Sequence, residues 1–376
     1  MNKLRTFYYA PTTSRSNNQW HRFHIEPILR NLSNDFQYFN PVSSKKICLE
    51  EIHKLILARA KKHKTSFFFS LTTDAYLLPE TIKELRNLGI ITVNFTCDNL
   101  DRLYDIQGVA PALDVCWVTE PEAVSMIKKI GGNPIHLPMA ANPAIFRPYN
   151  CREKYDISFC GMKNGSRPWY IYNLLKIQAL HLRVGGVGWS NIGDTAIHRA
   201  TMNPEDTINY LKSNLSSIMG FRNIAGDLLH LLFEPKLDAS TKQKLIKSLL
   251  PKLEFDDYIK LYSESKISLG FNEKGNSYHL PNPTYQLRLR DFEAPMSGSC
   301  FLTHRSQEME SYFEEDKEVL FYSSFEELVQ KSKFYLDPKR DSIRKKIKVA
   351  ARQRSLRQHT WDHRLKALFS KMLIQY

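Results

Sequence analysis

Short apolar runs alternate with amphipathic stretches along most of this chain, and that alternation decides what it can fold into. Residues 5–9, 67–71, 90–95, 114–118 and 135–137 read as strands. Residues 20–32 and 79–87, and a segment opening Thr119-Glu120-Pro121-Glu122, read as helices between them. That opening offers an N-cap, an early proline and acidic first-turn residues. Strands separated by helices imply a parallel sheet covered on both faces. After a proline-bearing linker, 139–150, the pattern starts again. Strands are expected at 155–160, 182–187, 266–271 and 300–303, with helices at 169–178, 257–263 and 325–334, another around Glu293, and a long basic one from about Ser342. The expected fold is α/β with two domains, 1–149 and 150–376. Residues 204–221, 225–233 and 240–250 look helical, so a helical insertion is expected at about 194–254.

Length and composition set the outer bounds. At 376 residues, two domains can each bury a full core. An apolar share of 42% with 12% aromatics excludes a disordered chain. No apolar run is long enough to span a bilayer, and the first ten residues lack the apolar core of a secretory signal. A cytoplasmic location is the expectation. The six cysteines show no metal or redox spacing and read as buried, reduced thiols. The formal charge is +14. From Arg340 onward, eleven Lys and Arg stand against Asp341 and Asp362. That charge suits nucleic acid, anionic lipid, a phosphorylated substrate or plain solvent. Aromatics are not interleaved with the cations, so no specific nucleic-acid partner is expected. The inner face of a membrane stays open as a peripheral location.

The block from Leu287 to Thr303, LRLRDFEAPMSGSCFLT, is the richest in chemistry. Glu293 sits in an otherwise apolar helix start, where a carboxylate can accept hydrogen bonds from ligand hydroxyls. Ala294, Ser297 and Gly298 let that helix lie close to a sheet. Arg288 and Arg290 add positive charge. Upstream, Arg167 follows a loop with Gly161, Lys163 and Gly165 between a strand and a helix. Such a loop offers N–H groups and cations to a diphosphate. The loop 276–286 either clamps a sugar through Asn276, Ser277 or Tyr285, or is a surface turn. In the first half, Asn17, Asn18, His21 and His24 lie at the first strand-to-helix junction, and Asp74 and Asp98 follow strand ends. His24, Asp74 and Asp98 are the candidates for an acceptor side. No catalytic base is identified.

The pattern Arg290-x-Phe292-Glu293-Ala294-x-x-x-Gly298, then Phe301-Leu302-Thr303, Phe313-Glu314 and His359-Thr360-Trp361-x-x-Arg364, resembles the C-terminal part of the CgeB-like (spore maturation type) glycosyltransferases of the group-1, GT-B family. Tyr155 to Gly161, Gly186-Val187-Gly188-Trp189 and the linker phrase 137–148 fit the same pattern. The resemblance implies two Rossmann-like domains facing an interdomain cleft, and a nucleotide-sugar donor held mainly by the second. It implies transfer of the sugar to a glycan, lipid-linked or protein acceptor with no metal or other cofactor. Asp256-Asp257 are adjacent, not spaced as in a metal-holding Asp-x-Asp motif. Group-1 relatives use two glutamates eight residues apart, one on the sugar and one on the ribose; here these positions are Tyr285 and Glu293. The missing first glutamate leaves the sugar contact unassigned. A second reading therefore stands beside the first: a non-catalytic glycan- or nucleotide-binding protein on a degenerate GT-B fold.

Overall fold

Residues 4–12, 15–43, 48–191, 208, 211–212, 214–215 and 218–374 are described in a computed structural model. The chain divides into two units. The first comprises Met1–Met139, Asn209–Ser216 and Trp361–Tyr376, and the second Ala140–Ile208 and Ser217–Thr360.

The first unit holds β1 (Arg5–Tyr9), β2 (Asp35–Phe39), β3 (Phe67–Ser70), β4 (Ile91–Thr96), β5 (Val115–Val118) and β6 (Pro134–His136), in the order β2-β1-β3-β4-β5-β6. Every pairing is parallel. Phe67, Phe68 and Phe69 are all fully buried, because a sheet covered on both faces needs no polar alternation. The helices Leu49–Lys62 and Pro79–Asn87 bring Ile52, Ile56, Ile82 and Leu85 into one core with Phe7 and Phe68. The helix Trp361–Lys371 also packs here. Trp361 is fully buried, with its ring centroid 5.5 Å from Trp20 and 6.0 Å from Phe95. Phe369 meets Phe67 edge-on at 5.2 Å.

In the second unit, β7 (Tyr155–Cys160), β8 (Leu182–Gly185), β9 (Ser265–Leu269), β10 (Phe301–His304) and β11 (Leu320–Tyr322) run parallel in the order β11-β10-β9-β7-β8. Its core gathers Ile157, Phe159, Ile267, Leu269, Leu302 and Leu320 beneath Ile171, Leu174 and Leu328.

Some expectations change. The stretch 35–62 holds β2 and a helix that the sequence reading left unassigned. The long basic helix is two helices, Asp341–Gln358 and Trp361–Lys371, parted at His359 and Thr360. There the Ala141 N–H donates to the His359 carbonyl at 3.1 Å, so the chain turns where an outside donor takes a helix-end acceptor. The expected helix 204–221 and the start of the insertion fall mostly outside the described residues; described helices of that region are Ile218–Phe233 and Ala239–Ser248.

Much of the C-terminal charge is internal fastening. Lys348 reaches Glu153 at 2.6 Å and the Ser265 carbonyl at 2.8 Å. Arg344 pairs with Asp341, and Arg352 donates to the carbonyls of Phe146 and Met296. Arg354 holds the Tyr312 carbonyl at 2.9 Å. Within the first unit, Arg364 holds the Pro138 carbonyl at 3.1 Å.

Candidate functional site

Ligands of open α/β sheets bind at the carboxyl ends of the strands, where strand order reverses direction. In the second sheet that point lies between β7 and β9, because β8 continues on one side of β7 while β10 and β11 extend beyond β9. Residues leaving these two strands build the candidate site.

β7 runs into the loop 161–166 and the helix Arg167–Lys176, and β9 into the loop 270–286. The two loops touch. Gly165 has φ +56°, and a Cβ there would stand 2.6 Å from the Gly275 carbonyl oxygen. Only glycine meets both conditions without strain. A side chain at Gly161 would collide with the Arg290 guanidinium. That guanidinium donates to the Cys160 carbonyl and stands 4.8 Å from the Phe159 ring centroid. Arg167 stands 5.8 Å from the same ring, and donates to the Met162 carbonyl at 2.9 Å and Asn164 Oδ1 at 2.7 Å. Lys163 is buried, with Nζ 3.1 Å from the Asn191 carbonyl.

Glu293 lies on the short helix Arg290–Met296 and is only 6% exposed. Its Oε2 accepts from Tyr258 Oη at 3.0 Å, and that hydroxyl lies 2.6 Å from Tyr262 Oη. Asp291 fixes the helix start: Oδ2 accepts from the Arg288 N–H at 2.6 Å and Oδ1 from the Asn272 amide at 3.0 Å. Gly298, with φ +66°, closes the far end of the helix against Pro148.

Burial sets the charges. It pushes the Glu293 carboxyl up to about 7, against the Tyr258 hydrogen bond and Arg290, which favour the anion. Burial likewise pushes Asp291 up to about 6. Burial, followed by the neighbouring charges of Arg290 and Arg288, pushes Arg167 down to about 9. The Arg167 and Arg290 guanidiniums remain cationic at neutral pH, where Glu293 is only partly ionised. Like charges crowded in a partly dry site favour a polyanion as guest. The structure thus gathers Gly161, Arg167, Arg288 and Glu293 around Arg290, while the Lys163 ammonium is turned to the Asn191 carbonyl.

The loop after β9 is braced from above by the helix Ile218–Phe233. Asn276 donates to Asp227 Oδ1 at 2.9 Å. A Cβ at Gly226 would come within 2.8 Å of the Asn276 carbonyl oxygen, so the backbones are in close contact. His230 Nδ1 lies 3.1 Å from Tyr278 Oη. Tyr285 is half-buried, its ring 5.6 Å from His304, and it faces Glu273 across an isolated antiparallel bridge. Sequence reasoning missed Glu273, Lys274 and Tyr258. The first two follow directly on the strand expected at 266–271, the very position a ligand-binding loop occupies. Tyr258 opens a stretch, 258–268, that fits the family pattern, but its pairing with Glu293 carried no signal, since the two lie on different helices.

In the first unit the candidates have local duties. Asp74 accepts from the N–H groups of Gly108 at 2.6 Å and Val109 at 2.9 Å. Asp98 sits at φ +59°, and its N–H donates to Glu120 Oε1 at 2.7 Å. His24 ends the helix Arg15–His24, 5.6 Å from Trp20 and 5.8 Å from Trp361, where burial pushes its imidazole down to about 4. His21 packs on Tyr8. The side chains of Asn17 and Asn18 lie outside the described residues.

A family model described as glycosyl transferase-like matches residues 238–370. The chain is similar in structure to a glycosyltransferase from Rickettsia africae, with a TM-score of 0.58, 12% identity and full coverage of both chains (100% each). It is similar to the Anabaena protein HepE in complex with UDP, with a TM-score of 0.57 and 8% identity over 98% of this chain and 100% of that one. It is similar to sucrose-phosphate synthase from Thermosynechococcus elongatus, with a TM-score of 0.56 and 11% identity over 98% and 99%. No curated protein shows significant sequence similarity to the chain. At these identities the likeness establishes the fold: two Rossmann-like units with parallel sheets, the GT-B class expected from the sequence.

Proposed function

We propose that this chain is a glycosyltransferase that takes a sugar from a nucleotide-diphosphate donor, without a metal, and that it is of the spore-maturation type. One observation carries the reading. Arg167 and Arg288 gather near Arg290, which lies beside the buried carboxylate of Glu293, at the point where the strand order of the second sheet reverses. The cations suit the donor diphosphate and the leaving nucleotide's growing charge. Glu293 suits the ribose diol, with Tyr258 holding one of its oxygens in place. The glycosyl transferase-like match over 238–370 and the UDP held by the Anabaena neighbour support the same donor class.

Calorimetry and thermal shift with UDP, GDP, ADP and their sugars test this. Binding to the folded state raises the melting temperature, with about 2.7 kcal/mol of stabilisation at a hundredfold excess over Kd. No shift with any of these at millimolar concentration would remove the reading. Release of free nucleotide and sugar, or of a glycosylated product, separates an enzyme from a non-catalytic binder.

The acceptor in this reading is a glycan, lipid-linked or protein, met by a cytoplasmic enzyme at an anionic membrane face. Support comes from the helix Ile218–Phe233, where Leu228, Leu231, Leu232 and Phe233 are 58%, 78%, 75% and 65% exposed. Large apolar side chains gathered on one exposed helix of a cationic chain fit an interfacial contact. Among the described residues no helix is long and apolar enough to cross a membrane. Flotation is expected to carry the chain up with vesicles containing phosphatidylglycerol and to lose it with phosphatidylcholine alone. Equal recovery in both would discard the membrane contact.

A further inference from the structure

We propose that Glu273 supplies the carboxylate that holds a hydroxyl of the donor sugar, in place of the glutamate expected eight residues before Glu293. This rests on the nucleotide-sugar reading above.

The position in question is Tyr285. Its neighbour across the isolated antiparallel bridge is Glu273, and the ladder continues where the Lys274 N–H donates to the Thr284 carbonyl at 2.7 Å. A carboxylate therefore stands beside position 285 in space, delivered from the other arm of the same loop. Glu273 leaves the carboxyl end of β9, in the loop that touches the Gly161–Ser166 turn at Gly165.

Its environment separates its two oxygens. Tyr170 Oη donates to Oε1 at 3.1 Å. His304 Nε2 lies 3.0 Å from that Tyr170 hydroxyl and 3.4 Å from Oε1. The Asn272 N–H donates to His304 Nδ1 at 3.0 Å, which assigns the ring proton to Nε2. His304 is therefore neutral and donates to the Tyr170 hydroxyl, and burial keeps it so, pushing its imidazole down to about 3. Oε1 is thus held by Tyr170, and the Ser166 hydroxyl also faces the carboxylate and favours its anion. Oε2 itself is buried without a hydrogen-bond partner among the described residues, in a residue only 8% exposed. A buried carboxylate oxygen without a donor costs stability unless a guest supplies one. A sugar hydroxyl is a neutral donor and fits, whereas a phosphate oxygen would be repelled. With its carboxyl pushed up to about 7 by burial, Glu273 can also present a proton to a hydroxyl oxygen near neutral pH.

The test uses the full chain with UDP and UDP-hexoses. Glu273→Ala and the isosteric Glu273→Gln are each compared with wild type for UDP affinity by calorimetry and for nucleotide release from UDP-hexoses. The expected result is UDP affinity within twofold of wild type in both variants. Turnover of the preferred UDP-hexose should fall roughly 10- to 100-fold in Glu273→Ala, the worth of one hydrogen bond to a charged group, and less in Glu273→Gln. Turnover equal to wild type in both variants would overturn the proposal. Equal loss of UDP and UDP-hexose binding in both would also overturn it, by making Glu273 a brace of the loop. If wild type bound UDP-hexoses no better than buffer, the nucleotide-sugar reading itself would fall, a distinct outcome.

Discussion

Gly186→Ala is expected to destabilise the second unit by roughly 3 kcal/mol or more. Gly186 follows β8 with φ +113°, a region closed to residues with a side chain. A methyl there would also run into the backbone of Gly161, 2.7 Å from its carbonyl carbon and 2.9 Å from its nitrogen. Gly161 cannot easily retreat. Its N–H donates to the Gly185 carbonyl at 2.9 Å, and its own carbonyl accepts from the Trp189 indole at 2.7 Å. Gly89→Ala is the control: φ is +75°, but nothing lies within 4 Å of the added methyl, so the cost is about 1 kcal/mol of backbone strain alone. Urea unfolding of the two variants would measure the difference. A Gly186→Ala chain within 0.5 kcal/mol of wild type, roughly the scatter of surface substitutions, would show that the strand end gives way freely.

Glu293→Ala is expected to weaken nucleotide binding on the order of 100-fold, because two hydrogen bonds from a ribose diol to a dry carboxylate are together worth about 3 kcal/mol. Wild type should prefer UDP to 2′-deoxy-UDP, and the variant should lose that preference. The discrimination matters more than the affinity, since Glu293→Ala also leaves Tyr258 Oη without its buried acceptor. A variant that binds less tightly yet still prefers UDP would assign Glu293 to bracing the helix Arg290–Met296. Undiminished UDP affinity would take it out of the site.

Strand-helix alternation was readable because buried parallel strands leave dense apolar runs such as Phe67-Phe68-Phe69. The helix Pro79–Asn87 was legible to the residue, since a proline starts it and Gly89 follows its end. β2, Asp-Phe-Gln-Tyr-Phe, is an edge strand with polar residues interleaved, and β11 is three residues long; neither gives a periodic signal that stands out. Net charge could be counted but not located: Arg344, Lys348, Arg352, Arg354 and Arg364 turned out to hold carbonyls and carboxylates of distant segments. At the site, Glu293 was legible because it stands between apolar Phe292 and Ala294, in the block that carries the family resemblance. Glu273 did not, because its relation to Tyr285 is a matter of two chain segments lying side by side, which spacing along one segment cannot express.

Trp361 completes the wall of aromatic rings around Trp20, Phe95 and Trp117. The first unit's sheet therefore emerges from the ribosome before the helix that covers these rings, which stay uncovered until Trp361 has been made. A chain cut short before Trp361 would leave those rings bare to water and prone to clumping, so the damage from a C-terminal deletion should surface at the opposite end of the sequence.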